Sequence, residues 1–193
     1  MDYVTLDIET VALPEAYEPK VLDYLMGKDT AKVIGLHPVF SKIIAVGIKE
    51  PDNEPNIFYG DDERKILSDT WAYFGKHQEV KVVTFNGYGF DIPFIAVRSL
   101  INGIKPTMDI EKNKWRMEGS NHFDLMLAFS HIDTFLWVSL ETLCRLYGIE
   151  VPEDRLSSEK VMACYRRGDW VSITKHSKQD LVMTEELYKK FFL

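Results

Sequence analysis

The chain is poor in cysteine, in basic charge and in long apolar runs, and each shortage removes a class of protein. Its two cysteines, Cys144 and Cys164, lie in apolar stretches of helical pattern with no neighbours at zinc-ligand spacing. They read as small core residues, which points away from a disulfide-stapled scaffold and towards a reducing, cytoplasmic compartment. No apolar run approaches the ~20 residues of a membrane span. Met1-Asp2-Tyr3-Val4 lacks the basic start of a signal peptide. Lysine and arginine number 23 against 30 aspartates and glutamates, a formal charge of −7. That balance argues against a broad basic surface gripping nucleic acid by its phosphates. A short single-stranded end stays open as a partner, because cations among clustered carboxylates neutralise them locally and such an end needs only a small basic rim. Repeats, low-complexity tracts and linkers are also missing, so residues 1–193 are expected to form one domain with a sizeable core.

What is present alternates between two periods. Residues 3–9 and 42–49 read as strands, and 56–59 is expected to pair with the second as a hairpin through the turn Asp52-Asn53-Glu54-Pro55. Residues 60–77 read as a helix entered through Asp61 or Asp62. Residues 80–85 read as a short buried strand, and 91–100 as a helix that tolerates Pro93 in its first turn. The polar stretch 105–121 reads as a loop. Helices are expected over 124–129, 140–147, 158–166 and 170–192. The fold class is therefore α/β, a mixed central β-sheet flanked by helices with a helix-rich C-terminal half.

Three segments carry acids in unusual places. In Tyr3-Val4-Thr5-Leu6-Asp7-Ile8-Glu9, the apolar Val4, Leu6 and Ile8 share one strand face, and Asp7 and Glu9 share the other. Like charges about 7 Å apart on a half-buried strand repel, and a divalent cation between them would remove the conflict. A merely acidic solvent-facing strand would read the same. Asn86-Gly87-Tyr88-Gly89-Phe90-Asp91 follows an apolar strand, where glycines permit close backbone approach and where α/β sheets bind ligands. Asp91 is a candidate ligand there, or else a simple helix cap. In the last helix, Ile173, His176, Ser177, Asp180, Thr184, Leu187, Tyr188 and Phe191 form one stripe, with His176 and Asp180 a turn apart at its centre. An Asp on a packing face calls for a partner or a metal; a satisfied His–Asp pair in the core is the alternative.

Together these segments resemble the DEDD exonuclease superfamily, whose fold is ribonuclease H-like. Its first motif, D-x-E on the first strand, is matched by Asp7 and Glu9. Its second, an Asn followed after a spacer by an aromatic and an Asp, is matched by Asn86, Phe90 and Asp91. Its third, an Asp four or five residues after Tyr or His, is matched by His176 and Asp180. His37-Pro38, His122-Phe123-Asp124-Leu125, Ser139-Leu140-Glu141 and 165–180 are similar to a small bacterial group related to the exonuclease domain of family B DNA polymerases. That group carries Tyr four residues before the final Asp, where this chain has His176; the His-bearing branch places its His five residues before.

The resemblance implies a metal-dependent 3′–5′ exonuclease that hydrolyses terminal phosphodiester bonds, of DNA more than RNA, with a single-stranded 3′ end as partner. It implies two divalent cations, Mg²⁺ or Mn²⁺, about 4 Å apart. Asp7 would bridge them, Glu9 and Asp180 would complete the first, Asp91 would support the second through water, and His176 is the candidate general base. Thr10 and Val11 would meet the terminal nucleotide through their amides, Asn86 would bind substrate or hold its loop, and Phe90 or Tyr88 would stack on a base or pack in the core. Lys160, Arg166, Arg167, Lys175 and Lys178 are candidates for a basic rim. The alternatives are a non-catalytic nucleic-acid-binding module on the same fold, and a ribonuclease H-like endonuclease or integrase, which lacks the Asn-aromatic-Asp loop and the His-to-Asp helix.

Overall fold

The computed structural model describes residues 2–18, 20 and 34–193, with Ser158 described by its backbone alone. Strand β1 (Tyr3–Ala12) pairs antiparallel with β2 (Ser41–Lys49), which pairs antiparallel with β3 (Asn56–Tyr59). On its other side β1 takes β4 (Lys81–Thr84) in parallel, and β4 takes β5 (His122–Asp124) in parallel. The result is one mixed sheet in the order β3-β2-β1-β4-β5. Helices follow as α1 (Glu63–Lys76), α2 (Asp91–Ile101), α3 (Leu125–Phe129), α4 (Leu140–Leu146), α5 (Ser158–Arg166) and α6 (Trp170–Phe192). No helix among the described residues is long and apolar enough to cross a membrane.

Both sheet faces are covered. Val4, Leu6 and Ile8 of β1 pack with Leu67 and Phe74 of α1 and with Phe94 and Ile95 of α2. Leu67 and Phe74 are wholly buried, each such side chain contributing ~1.5–3 kcal/mol. On the opposite face, Tyr3 and Val83 meet Leu143 of α4 and Met183 and Leu187 of α6, while Val11 and Ile44 meet Val161 of α5 and Ile173 of α6. Cys144 and Cys164 are buried and free within these clusters. The acidic face of β1 is thus not a solvent face: α6 crosses it.

Local chemistry explains most element ends. Asp52 takes the left-handed φ of 59° at the β2–β3 turn, as short polar residues tolerate. Asp62 caps α1 by accepting from the Lys65 amide at 3.0 Å. Two features depart from the sequence pattern. β1 continues past Glu9 to Ala12, because Thr10, Val11 and Ala12 find partners in Ile43, Lys42 and Ser41 after a register shift between Glu9 and Thr10. β5 has no counterpart in the pattern, since three residues are too short to display alternation; the helix expected from Asp124 starts at Leu125, with Asp124 as its cap.

Candidate active site

α6 reaches β1 because β2 has no side chain in the way. Gly47 is the register partner of Asp7. A Cβ there would lie 2.6 Å from Leu181 Cδ1 and 2.8 Å from Ser177 Oγ, so only glycine lets the helix approach this closely. At that distance the Thr5 hydroxyl donates to the Leu181 carbonyl at 3.4 Å. The next turns of α6 bring His176 between two acids, with Nε2 3.6 Å from Glu9 Oε1 and Nδ1 3.6 Å from Asp180 Oδ1. His176 is buried, and its Nδ1 has no hydrogen-bond partner among the described residues.

Asp91 arrives from the other side. The turn after β4 is too tight for side chains at its glycines: a Cβ on Gly87 would sit 2.1 Å from Thr84 Oγ1, and one on Gly89 2.5 Å from Asn86 Oδ1. Asn86 itself takes a left-handed φ of 68°. The chain then enters α2 with Phe90 as a cap that makes no side-chain hydrogen bond. Asp91 is therefore not spent as a helix cap. It is buried, and its Oδ1 accepts from the Ile8 amide at 3.1 Å, between Asp7 and Glu9 in sequence.

Asp7, Glu9, Asp91 and Asp180, from three distant segments, thus share one electrostatic neighbourhood. Burial, reinforced by Glu9, Asp91 and Asp180, pushes the Asp7 carboxyl well above its ordinary range. Glu9 is raised in the same way, by burial and then by Asp180 and Asp91. Asp91 is pushed up to about 7, chiefly by burial, although the Ile8 amide works against the shift. His176 moves down from 6.5, because burial outweighs the pull of Asp180, and so is neutral at neutral pH.

Among the described residues one basic group offsets this crowd, and no motif announced it. Arg155, in the connection between α4 and α5, grips Asp180 with Nε to Oδ1 at 2.8 Å and Nη2 to Oδ2 at 2.7 Å. Its Nη1 lies 3.5 Å from Glu141 Oε2. Four carboxylates demand a counter-cation, but nothing in sequence distinguishes this arginine from the other basic residues.

The remaining candidates divide. Glu9, Thr10 and Phe90 line an open cleft of ≈ 630 Å³ together with Tyr17, Leu36 and Met162. Thr10 Oγ1 donates to the Gly35 carbonyl at 2.7 Å, and Phe90 packs at a tilt on Phe94 with ring centroids 5.2 Å apart. The Val11 side chain is buried with Ile44, Val161 and Ile173, and the residue pairs with Lys42 in the ladder. Tyr88 is buried against His122. Lys160, Arg166, Arg167, Lys175 and Lys178 are exposed but none lines the cleft, whose charged lining among the described residues is Glu9 and Glu159.

Comparison with known proteins gives the arrangement a family. Residues 39–193 match the model of a predicted 3′–5′ exonuclease related to the exonuclease domain of PolB. An uncharacterized protein of Methanocaldococcus jannaschii is 30% identical over 162 residues, covering 80% of this chain and 88% of that one. The catalytic polypeptide of DNA polymerase epsilon from Aspergillus fumigatus is 24% identical over 210 residues, covering 97% of this chain but 9% of the polymerase. The chain therefore spans only a small part of that polymerase. In fold it is similar to the family B DNA polymerase of Pyrobaculum calidifontis, with a TM-score of 0.71 at 15% identity over 98% of this chain and 24% of the polymerase. The mixed sheet flanked by helices is thus the ribonuclease H-like fold of a polymerase exonuclease domain. The chain belongs to the family of predicted 3′–5′ exonucleases related to the exonuclease domain of PolB.

Proposed function

We propose that residues 1–193 act as one metal-dependent 3′–5′ exonuclease domain, removing terminal nucleotides from nucleic acid, single-stranded DNA foremost. The observation that carries this reading is the gathering of four acids beside an open cleft, with Arg155 as their counter-charge. Family membership supports the reaction class, and the names of the polymerase relatives support DNA as the polymer.

The residues fit hard divalent cations. The donors are carboxylate oxygens, three of the acids resist ionisation until positive charge arrives, and a buried imidazole nitrogen lacks a partner. Among the described residues, no three His, Cys, Asp or Glu side chains are gathered tightly enough to hold an ion as they stand. Each Asp180 oxygen accepts one hydrogen bond from Arg155, which leaves a further lone pair on each for an ion. Asp7, Glu9, Asp91 and Asp180 would then hold two ions, Mg²⁺ or Mn²⁺, which supply Lewis-acid activation of water and charge stabilisation at the phosphate.

The chain's own residues do the rest. His176, neutral through burial, accepts a proton at a ring nitrogen facing the acids. Thr10 engages the terminal nucleotide and Phe90 offers an apolar wall for its base, both from the cleft lining, while Asn86, outside that lining, holds the turn that leads to Asp91. Arg155 presents its remaining donors to a phosphate oxygen.

The test is digestion of 5′-labelled DNA and RNA oligonucleotides with Mg²⁺ or Mn²⁺. The reading expects ladders shortened from the 3′ end. Internal cuts would replace it with an endonuclease. Retention of intact oligonucleotide would favour the non-catalytic module, for which the closed Arg155–Asp180 pair is the supporting observation.

A further inference from the structure

The segment His122-Phe123-Asp124-Leu125 supplies none of the four acids, although the Asp124 charge helps raise Asp91, and its two polar side chains are completely buried. His122 and Asp124 are alternate residues of β5 and so face the same way. Asp124 Oδ1 accepts from the amides of Asn86 at 2.9 Å, Met126 at 2.9 Å and Leu127 at 3.4 Å, and Oδ2 accepts from Tyr88 at 3.0 Å. Two of these donors open α3; the other two belong to the turn that leads to Asp91. His122 Nδ1 lies 2.9 Å from the Glu111 carbonyl, which can only accept, so Nε2 takes the Thr84 hydroxyl at 2.8 Å. The Tyr88 ring stacks on His122 at 4.0 Å, and its hydroxyl donates to the His122 carbonyl at 3.1 Å.

We propose that Asp124 is a positioning residue of the acidic site: its carboxylate sets the backbone of residues 86–88, and through that turn the place of Asp91 and Asn86. The connection is continuous. The amides of Asn86 and Tyr88, on either side of Gly87, end on Asp124. The Gly87 carbonyl accepts from the Ile92 amide at 3.0 Å, and the Asn86 carbonyl from the Phe90 amide at 2.9 Å. Those bonds fix where α2 begins, and its first residue, Asp91, delivers Oδ1 to the Ile8 amide. Without Asp124, two inward amides lose their acceptor, and Asn86 loses the restraint that holds its left-handed φ.

The proposal rests on the exonuclease reading of the four acids, and its test separates the two. Asp124→Ser keeps an oxygen able to cap α3 but too short to reach residues 86 and 88. Amide exchange by NMR in the metal-free protein should show lost protection at Asn86 and Tyr88 and retained protection at Met126. Calorimetry should show Mn²⁺ binding weakened roughly 10- to 100-fold, the size expected when a group behind a ligand is removed. In an Asp91→Asn background, Asp124→Ser should add nothing to that loss, because it acts through Asp91. A generally loosened protein would instead lose active fraction with unchanged Mn²⁺ affinity. If the serine variant fails to fold, Asp124→Asn retains Oδ1 and turns an NH₂ towards Tyr88; loss of protection at Tyr88 alone is then expected. Unchanged protection at 86 and 88, or unchanged Mn²⁺ affinity in a folded variant, overturns the proposal. Wild type that binds Mn²⁺ but releases no nucleotide defeats the exonuclease reading, while the exchange and affinity measurements still decide whether Asp124 positions Asp91.

Discussion

Helix α6 carries two acids that look alike in sequence and are opposites in structure. Glu185 is 2% exposed and fully compensated: Lys49 lies 2.7 Å from one oxygen, Lys189 3.2 Å from the other, and the Tyr3 hydroxyl donates to it at 3.4 Å. Asp180, little more than a turn earlier, shares one guanidinium with Asp7 and Glu9. The first arrangement has enough positive charge to hold the fold together. The second has too little, and the shortfall shows in acids that resist ionisation and a histidine pushed towards neutrality. A balanced buried charge is a structural tie; an unbalanced one is the arrangement that the proposed cations would balance.

Asp7→Ala should give the largest effect. Removing a proposed direct ligand should lower hydrolysis by more than the ~100-fold typical of a supporting group. The same change removes a repelling charge, so the melting temperature in chelator should stay level or rise. Near-normal hydrolysis would break the catalytic side of the comparison; a clear fall in the metal-free melting temperature would break the electrostatic side.

Next in size is the difference between the two α6 acids. Glu185→Ala leaves Lys49 buried without a counter-charge and should cost ~3–5 kcal/mol in urea unfolding. Asp180→Ala leaves Arg155 among other carboxylates and should stay within about 1 kcal/mol. Equal losses would mean that Asp180 is a structural tie after all.

Gly47→Ala tests the approach of α6 from the sheet side. The new methyl meets Leu181 and Ser177 inside contact distance, and overpacking of this kind costs ~1–3 kcal/mol. Because α6 carries Asp180, Mn²⁺ affinity measured by calorimetry should weaken together with stability. A stability loss without an affinity loss would show that the helix tilts about the site rather than away from it.

The two regions also differ in how far they can be read in advance. β1, β2 and the long α6 are visible because apolar periodicity is local, and Asp7, Glu9, Asp91 and Asp180 stand out as acids at packed positions. Gly47 gives no signal, since its meaning depends on a helix far later in the chain. Arg155 and Asp124 act through long-range pairings that leave no spacing behind. The burial of the Val11 side chain is not legible either, because it depends on continued pairing of β1 with β2 beyond Glu9.

The smallest effect is a pH dependence of stability, and its sign is unusual for an aspartate. Most native carboxylates are paired, titrate below their unfolded values and favour the folded state as pH rises. Asp91 does the reverse: burial lifts it from 3.8 to about 7. Between those values the folded state holds a proton that the unfolded chain has lost, so its contribution to stability falls as pH rises through the window and returns on acidification. His176, shifted downwards, works in the opposite direction, so the contribution must be taken as the difference between wild type and Asp91→Asn. In chelator, lowering the pH from 7 to 6 should raise the melting temperature of wild type relative to that variant by roughly 2–4 °C, equivalent to about 1 kcal/mol. Saturating Mn²⁺ should abolish the difference, because a cation requires the ionised acid. Identical pH profiles for the two proteins in chelator would place Asp91 among the balanced charges, on the same footing as Glu185.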